Sequence, residues 1–441
     1  MTPTQPTPPI GWTEIFETLS MQAGFNTNTV IVGTTLLGVA AGVVGTFALL
    51  RKRSLMADAL THATLPGIAL AFLGATILGY DGRTLPVLLT GAATTGIIGV
   101  LCVQLLLRVT RLREDAAIGI VLSTFFGAGI VALSYIQKNA GSQAAGINAF
   151  IYGQTAAMRI YDAALMGAIA LAAVIAAIFL IKEFAVVCFN DAFARVAGWP
   201  VGFIDLAMMA LVVLVTVAGL QAVGLILVIA MLIIPPVSAR FWTDQLRSLV
   251  VISAIIGGSS GFIGSVTSSL LPRKPAGAII VLTAGTMFAI SITFAPKRGA
   301  VATLARRVRA RLRIDADHVL ETAVETDPRA DQISLTKADL AFIARRRGWN
   351  TPTRPLVITL LRLRGLIVPT ATGVNLTQAG IARGRTVLRN HTLWEHYLTR
   401  YADVAPGHVD WSADAVEHVL SPELIKELEA IAASNLIETA S

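Results

Sequence analysis

Charge is scarce in this sequence. Asp, Glu, Lys and Arg make up 14% of its 441 residues, against roughly a quarter in soluble domains, so a purely water-solvated globule is excluded. Cysteine is nearly absent. Cys102 and Cys188 stand far apart, in or beside apolar segments, which leaves neither a disulfide framework nor a CxxC metal site. No GxxxxGK[ST] stretch occurs, so this chain has no P-loop to cradle nucleotide phosphates. A basic n-region is missing too: residues 1–26 are acidic and rich in Pro and Thr, unlike a cleaved signal peptide. The first apolar helix is expected to serve as its own insertion signal.

What the sequence does have is apolar length: 54% of residues are hydrophobic and the mean hydropathy is +0.69. A spanning helix needs about 20 mostly apolar residues. Nine stretches qualify or nearly do, starting near Val30, Ala59, Leu85, Asp115, Tyr161, Phe203, Val223, Leu249 and Ala276. Basic clusters follow alternate segments: Arg51-Lys52-Arg53, then Arg108, Arg111 and Arg113, then Lys182 with Arg195, then Arg240 with Arg247, and last Lys297-Arg298. By the positive-inside rule this places the N-terminus outside and the C-terminus in the cytoplasm. The expected architecture is an all-α polytopic bundle of about nine transmembrane helices, followed by a cytoplasmic winged-helix and helical metal-sensing or dimerisation domain. Boundaries are expected at 1–27 (extracytoplasmic tail), 28–296 (membrane domain), 297–314 (basic linker) and 315–441 (soluble domain). Gly38-xxx-Gly42 and Gly257-xxx-Gly261 carry the small-residue spacing that lets membrane helices approach closely.

Past residue 300 the composition changes. Residues 301–441 hold 18 Lys/Arg and 16 Asp/Glu, against 17 and 11 in the first 300. An amphipathic helix is expected from Asp315 to Thr326, with further helices over 337–347 and 354–364. A short hairpin then follows through Val368 and Val374. Helix, helix, helix, hairpin is the winged-helix order. Residues 329–364 carry eight basic and two acidic side chains, whereas 391–441 carry two basic and nine acidic. That division suggests DNA on one side and cations on the other, with a solvated basic face as the plainer alternative.

The most informative segment is Asp58-Ala59-Leu60-Thr61-His62-Ala63-Thr64-Leu65-Pro66-Gly67. An aspartate and a histidine four apart share a helical face. Ionisable groups inside a membrane cost roughly 2.5–3.5 kcal/mol each and usually mark an ion pathway. Carboxylate oxygen with imidazole nitrogen suits borderline divalent metals such as Mn, Zn and Fe(II). Pro66-Gly67 would loosen the helix and free backbone carbonyls. The competing reading pairs Asp58 with Arg51 or Arg53 at the interface.

This segment resembles the signature of permeases in zinc, manganese and iron ABC importers, with Ala57 and Thr61 where that family usually has Gly and Ser. The likeness continues through Glu114 to Ile120, Phe189 to Gly198, Gly219 to Gly224 and Ile234-Pro235-Pro236. It implies a permease subunit in the bacterial cytoplasmic membrane. The expected partners are a second permease subunit, a separate cytoplasmic ATPase and an extracytoplasmic metal-binding protein. It also implies that Asp58 and His62 hold the ion in transit. Segment 189–198 would be the coupling helix that docks on the ATPase, through Asp191, Arg195 and Gly198, although Phe189-Asn190-Asp191-Ala192 departs from the family's Phe-Asp-Pro-Glu.

Residues 315–435 resemble the diphtheria-toxin-repressor family of metal-dependent repressors. The matching stretches lie at Leu361 to Ile367, Val374 to Gly380, Asn390 to Leu398 and Asp414 to Leu424. The resemblance implies divalent metal (Mn, Zn or Fe) held by His391, Glu395, Asp414, Glu417 and His418, with a further ligand from Asp317, His318 or Glu321. It also implies operator DNA reached through Thr353 and Arg354, although Pro352 and Pro355 are unusual in a recognition helix. The sequence thus predicts a non-enzymatic permease subunit of a divalent-metal importer with a fused metal-responsive domain. The alternatives are a membrane-tethered metal-dependent transcriptional regulator and a proton-coupled secondary transporter.

Overall fold

The computed structural model describes residues 12–22, 24–51, 54–80, 82, 84–139, 160–271, 275–346, 353–401 and 423–429. They form two compact units, residues 1–302 and 303–441.

Every element among the described residues of the first unit is a helix. A short α1 (Trp12–Leu19) precedes α2 (Phe25–Leu50), α3 (Ser54–Ile77), α4 (Leu85–Val109), α5 (Glu114–Asn139) and α6 (Ile160–Phe179). Two short helices, α7 (Ile181–Phe189) and α8 (Asp191–Val196), lead into α9 (Val201–Val223), α10 (Leu225–Arg240), α11 (Leu246–Leu270) and α12 (Ala276–Phe294). Among the described residues eight helices are long and apolar enough to cross a membrane. The ninth expected span is different. Gly224, at φ +86°, ends α9, and α10 is only 16 residues long with Pro235 and Pro236 inside it. At 1.5 Å per residue α10 reaches about 24 Å, short of a 30 Å hydrocarbon core.

Hydrophobicity surrounds each long helix, so position in the bundle follows from packing rather than from an amphipathic stripe. α2 is central, with 72% of its apolar window buried, whereas α12 buries only 22% and turns most of its surface outward. The two glycine motifs noted in the sequence meet one another. A Cβ at Gly38 would collide with the Gly257 carbonyl oxygen, one at Gly257 with the Gly38 carbonyl, one at Gly42 with that of Ser253, and one at Gly261 with that of Thr34. Hydroxyls reinforce the seam. Ser253 Oγ donates to the Gly42 carbonyl at 2.7 Å, and Thr34 Oγ1 lies 2.7 Å from Ser265 Oγ.

The second unit begins inside α13 (Ala300–Thr326), which runs unbroken through the expected linker into the expected first helix of the soluble domain. β1 (Ser334–Thr336), α14 (Lys337–Arg346), α15 (Thr353–Leu363), β2 (Ile367–Pro369), β3 (Gly373–Leu376) and α16 (Gln378–Tyr401) follow. The strands form an antiparallel sheet in the order β1-β3-β2, with Leu335 opposite Val374 and Val368 opposite Asn375. The hairpin is where the sequence placed it; β1 adds a third strand. A core of Val319, Leu320, Leu340, Ile343, Val357, Leu361 and Ile381 holds α13, α14, α15 and α16 together.

Candidate metal sites

On α3, Asp58 and His62 turn to one another: His62 Nε2 lies 3.4 Å from Asp58 Oδ1. Four-residue spacing on one helix puts them on the same face, and a neighbouring helix packs on the imidazole. Phe126 of α5 packs edge-on against the imidazole, with ring centroids 5.0 Å apart. Thr61 and Thr64 of the same helix are buried. His62 Nδ1 is buried and makes no hydrogen bond among the described residues, an arrangement that strands a nitrogen lone pair or N–H away from water. Pro66 lies inside α3 and has no N–H to give the His62 carbonyl, which an unbroken helix would satisfy. Gly67 has a different task from the expected loosening. A Cβ there would strike the Gly91 carbonyl, so it lets α3 and α4 touch backbone to backbone.

The competing partner for Asp58 is otherwise engaged. Arg51, at the C-terminal end of α2, donates from Nε to Asp205 Oδ1 and from Nη2 to Asp205 Oδ2, both at 3.0 Å. It also donates from Nη1 to the Val187 carbonyl at 3.2 Å and stands 3.5 Å from Asp191. Burial opposes its charge, but Asp205 and Asp191 outweigh that and raise its pKa further. Arg53 lies outside the described residues. Asp205, an acidic residue within an apolar span, is the member of this group that the sequence reading passed over, although its rarity there was a signal.

Segment 189–198 contains α8. Asn190 Oδ1 accepts the Phe193 N–H at 2.9 Å as a helix cap. Arg195 bonds Asp191 at 2.9 Å one turn back. Burial tends to raise the Asp191 pKa; Arg51 and Arg195 overcome this and hold it below the ordinary carboxylate value. Gly198, at φ +82°, ends the helix in the left-handed conformation that glycine adopts without penalty. Asp191 and Arg195 are thus tied to the membrane unit itself, while Phe193 and Val196 are exposed by 61% and 90%.

In the second unit, α13 carries four buried ionisable side chains, Asp315, Asp317, His318 and Glu321. His318 Nδ1 lies 3.0 Å from Glu321 Oε2, and His391 Nδ1 of α16 lies 3.5 Å from Glu321 Oε1. Asp317 faces Arg383 instead, through bonds of 3.0 and 2.6 Å. Of the three first-helix candidates, His318 and Glu321 are therefore the ones grouped with His391. Two imidazoles and a carboxylate suit Mn, Fe(II) or Zn. Among the described residues no three His, Cys, Asp or Glu groups converge tightly enough to hold an ion. The Glu395 side chain and the whole of Asp414, Glu417 and His418 lie outside the described residues. Thr353 opens α15, and Arg354 donates to the Lys337 carbonyl at 3.1 Å.

Residues 25–295 match the ABC 3 transport family, and residues 377–434 match the iron dependent repressor metal binding and dimerisation domain. The manganese transport system membrane protein MntC of Bacillus subtilis is 36% identical over 394 residues, 89% of this chain and 88% of that protein. An alignment of that length runs beyond the membrane unit into the second. The zinc transport system membrane protein TroC of Treponema pallidum is 41% identical over 285 residues, covering 64% of this chain and 93% of TroC. Among solved structures, PsaBC from Streptococcus pneumoniae in complex with Fab superposes with a TM-score of 0.56 at 29% identity, covering 64% of this chain and 97% of that one.

Proposed function

The chain belongs to the ABC 3 transport family, and on that premise we propose that it is the permease subunit of an ATP-driven importer of manganese, zinc or ferrous iron, with a metal-responsive domain on its cytoplasmic side. The observation that carries this reading is the Asp58–His62 pair inside a spanning helix. One carboxylate oxygen and one imidazole nitrogen are enough to hold a divalent ion briefly but too few to trap it. The His62 carbonyl that Pro66 leaves unserved offers a further oxygen. Ligands from a second permease subunit, or water, would complete the shell.

The transport cycle needs energy from outside this chain, since it has no phosphate-binding loop. A separate ATPase would dock on α8, with Phe193 and Val196 as its apolar contacts and Asp191, Arg195 and Gly198 shaping the helix. An extracytoplasmic metal-binding protein would deliver the ion. For the N-terminus to lie outside and the C-terminus in the cytoplasm, α10 would have to complete a ninth crossing, since eight spans return both ends to one side. The boundaries would fall at 1–27, 28–296, 297–314 and 315–441, with α13 continuing from the basic stretch into the last.

In the regulatory domain, His318, Glu321 and His391 supply a nitrogen and oxygen donor set that fits a divalent transition metal. Glu395, Asp414, Glu417 and His418 would complete it. Bound metal would draw α13 and α16 together through His318, which hydrogen-bonds Glu321, and His391, which faces it at 3.5 Å. The sheet and helices α13 to α15 support a winged-helix reading. Operator contact through Thr353 and Arg354 would require Arg354 to release the Lys337 carbonyl. A tethered transcriptional regulator is the second reading, supported by that same fold; eight spanning helices exceed what a tether needs.

The test is uptake of radioactive manganese into proteoliposomes. With the partner ATPase and ATP, the wild-type chain should transport, and without the ATPase it should not. Asp58→Ala and His62→Ala should each abolish uptake at unchanged membrane yield. Undiminished uptake by both variants would remove the site assignment, and uptake without ATPase would point to a secondary transporter.

A further inference from the structure

Residues 300–313, the first half of α13, include neither Asp58 and His62 nor any of His318, Glu321 and His391. α13 starts just after α12, on a tight turn in which the Gly299 N–H donates to the Ala295 carbonyl at 2.8 Å. Arg298 pins that turn by pairing with Asp244 at 2.7 Å. The helix therefore begins where a spanning helix leaves the bilayer. Residues 297–313 contain seven Lys/Arg and no Asp or Glu. Arg307, Arg309, Arg311 and Arg313 make no ion pair among the described residues.

The apolar residues are ordered as well. Val301, Leu304 and Val308 are exposed by 52%, 63% and 45%, and at 3.6 residues per turn they fall within an arc of about 60°. Arg307 and Arg311 border one edge of that arc and Arg309 the other. Charge of one sign beside the last span satisfies the positive-inside rule by itself. An exposed apolar stripe between arginines does not follow from that rule, and water is a poor partner for it. It needs a surface that offers phosphate and hydrocarbon within one side chain's length, as an interfacial basic helix does.

We propose that residues 300–313 bind the anionic phospholipid headgroups of the membrane that the chain spans. The arginines face phosphate, and Val301, Leu304 and Val308 dip toward the acyl boundary. Arg309 and Arg311 can extend their aliphatic stems along the stripe while their guanidinium groups stay at headgroup level. The helix that meets lipid is the same one that carries His318 and Glu321. This inference depends on the membrane spans alone, not on what the permease carries.

The experiment uses the full chain with Cys102→Ser, Cys188→Ser and Ala305→Cys, labelled at residue 305 with an environment-sensitive nitrobenzoxadiazole dye. It is reconstituted in lipid discs of phosphatidylglycerol or phosphatidylcholine. Emission should be blue-shifted and at least about twofold brighter in phosphatidylglycerol, as expected for polybasic attraction to anionic lipid. The difference should shrink at about 1 M salt, where the Debye length is about 3 Å. It should also be lost in the combined Arg307→Gln, Arg309→Gln, Arg311→Gln and Arg313→Gln variant. If that variant cannot be recovered folded, the lipid and salt comparisons decide. Equal emission in the two lipids would overturn the proposal, whether the dye is solvated in both or buried in both by protein. So would a blue shift produced by duplex DNA where lipid gives none.

Discussion

Arg51 shows how one side chain can join elements that are distant in sequence. Its guanidinium reaches Asp205 at the start of α9, the α7 backbone and Asp191 of α8. Removing one partner of a largely buried ion pair leaves the other charge uncompensated, at a cost of about 3–5 kcal/mol. Arg51→Ala should therefore lower the melting temperature of the detergent-purified chain, and Arg51→Lys should recover little, because a point charge cannot reproduce the two-pronged bond to Asp205. Asp191 adds a pH dependence. Its folded pKa is depressed, so its contribution is complete above the ordinary carboxylate pKa of about 3.9. It is lost as pH falls through the lower folded value. The Arg51→Ala chain should accordingly show a weaker acid dependence of melting than wild type over that range. Glu321 plays a comparable part in the second unit, lying between His318 and His391. Glu321→Gln keeps the shape but removes the charge. Calorimetric titration of Mn into the full chain should show the proposed His318–Glu321–His391 site weakened by about tenfold or more, at least the loss seen when an outer-shell partner is altered. Unchanged affinity would take Glu321 out of the site.

Between elements, the α2–α11 seam is the clearest case of sequence setting geometry. Four carbonyl oxygens occupy the places where side chains at Gly38, Gly42, Gly257 and Gly261 would stand. A backbone oxygen cannot move aside as a rotamer can. Gly257→Leu should cost about 3 kcal/mol or more by overpacking and sharply reduce the yield of folded protein, whereas Gly74→Leu, where a Cβ meets open space, should be tolerated. Thermal melts of the two variants check this. The small-residue spacing was visible in the sequence. That the two motifs face each other was not, because spacing alone does not say which helix is the partner. Likewise α10 carries the composition of a span yet stops at 16 residues. Gly224 takes a positive φ there, a backbone choice that hydropathy does not encode.

Taken as a whole, the molecule joins a membrane unit to a smaller unit whose residues 377–434 match an iron dependent repressor metal binding and dimerisation domain. On the proposed function, a chain ending at residue 299 should still transport manganese with its ATPase in proteoliposomes, but uptake should no longer fall when manganese is loaded inside. Inhibition of equal depth in the full and shortened chains would separate the second unit from regulation.

Periodicity and the rarity of charge inside apolar runs already determined, from sequence alone, that the chain spans a membrane and carries a charge-rich, basic-then-acidic second domain. They also singled out Asp58 and His62 as candidates, because a helix repeats every 3.6 residues and lipid makes an idle carboxylate costly. Tertiary structure decided the rest. It turned Asp317 toward Arg383 and grouped His318 and Glu321 with His391, gave Arg51 to Asp205 rather than to Asp58, and paired the glycine motifs. Each of those outcomes is a choice among partners far apart in the chain, and such choices depend on which surfaces fit together rather than on any local preference.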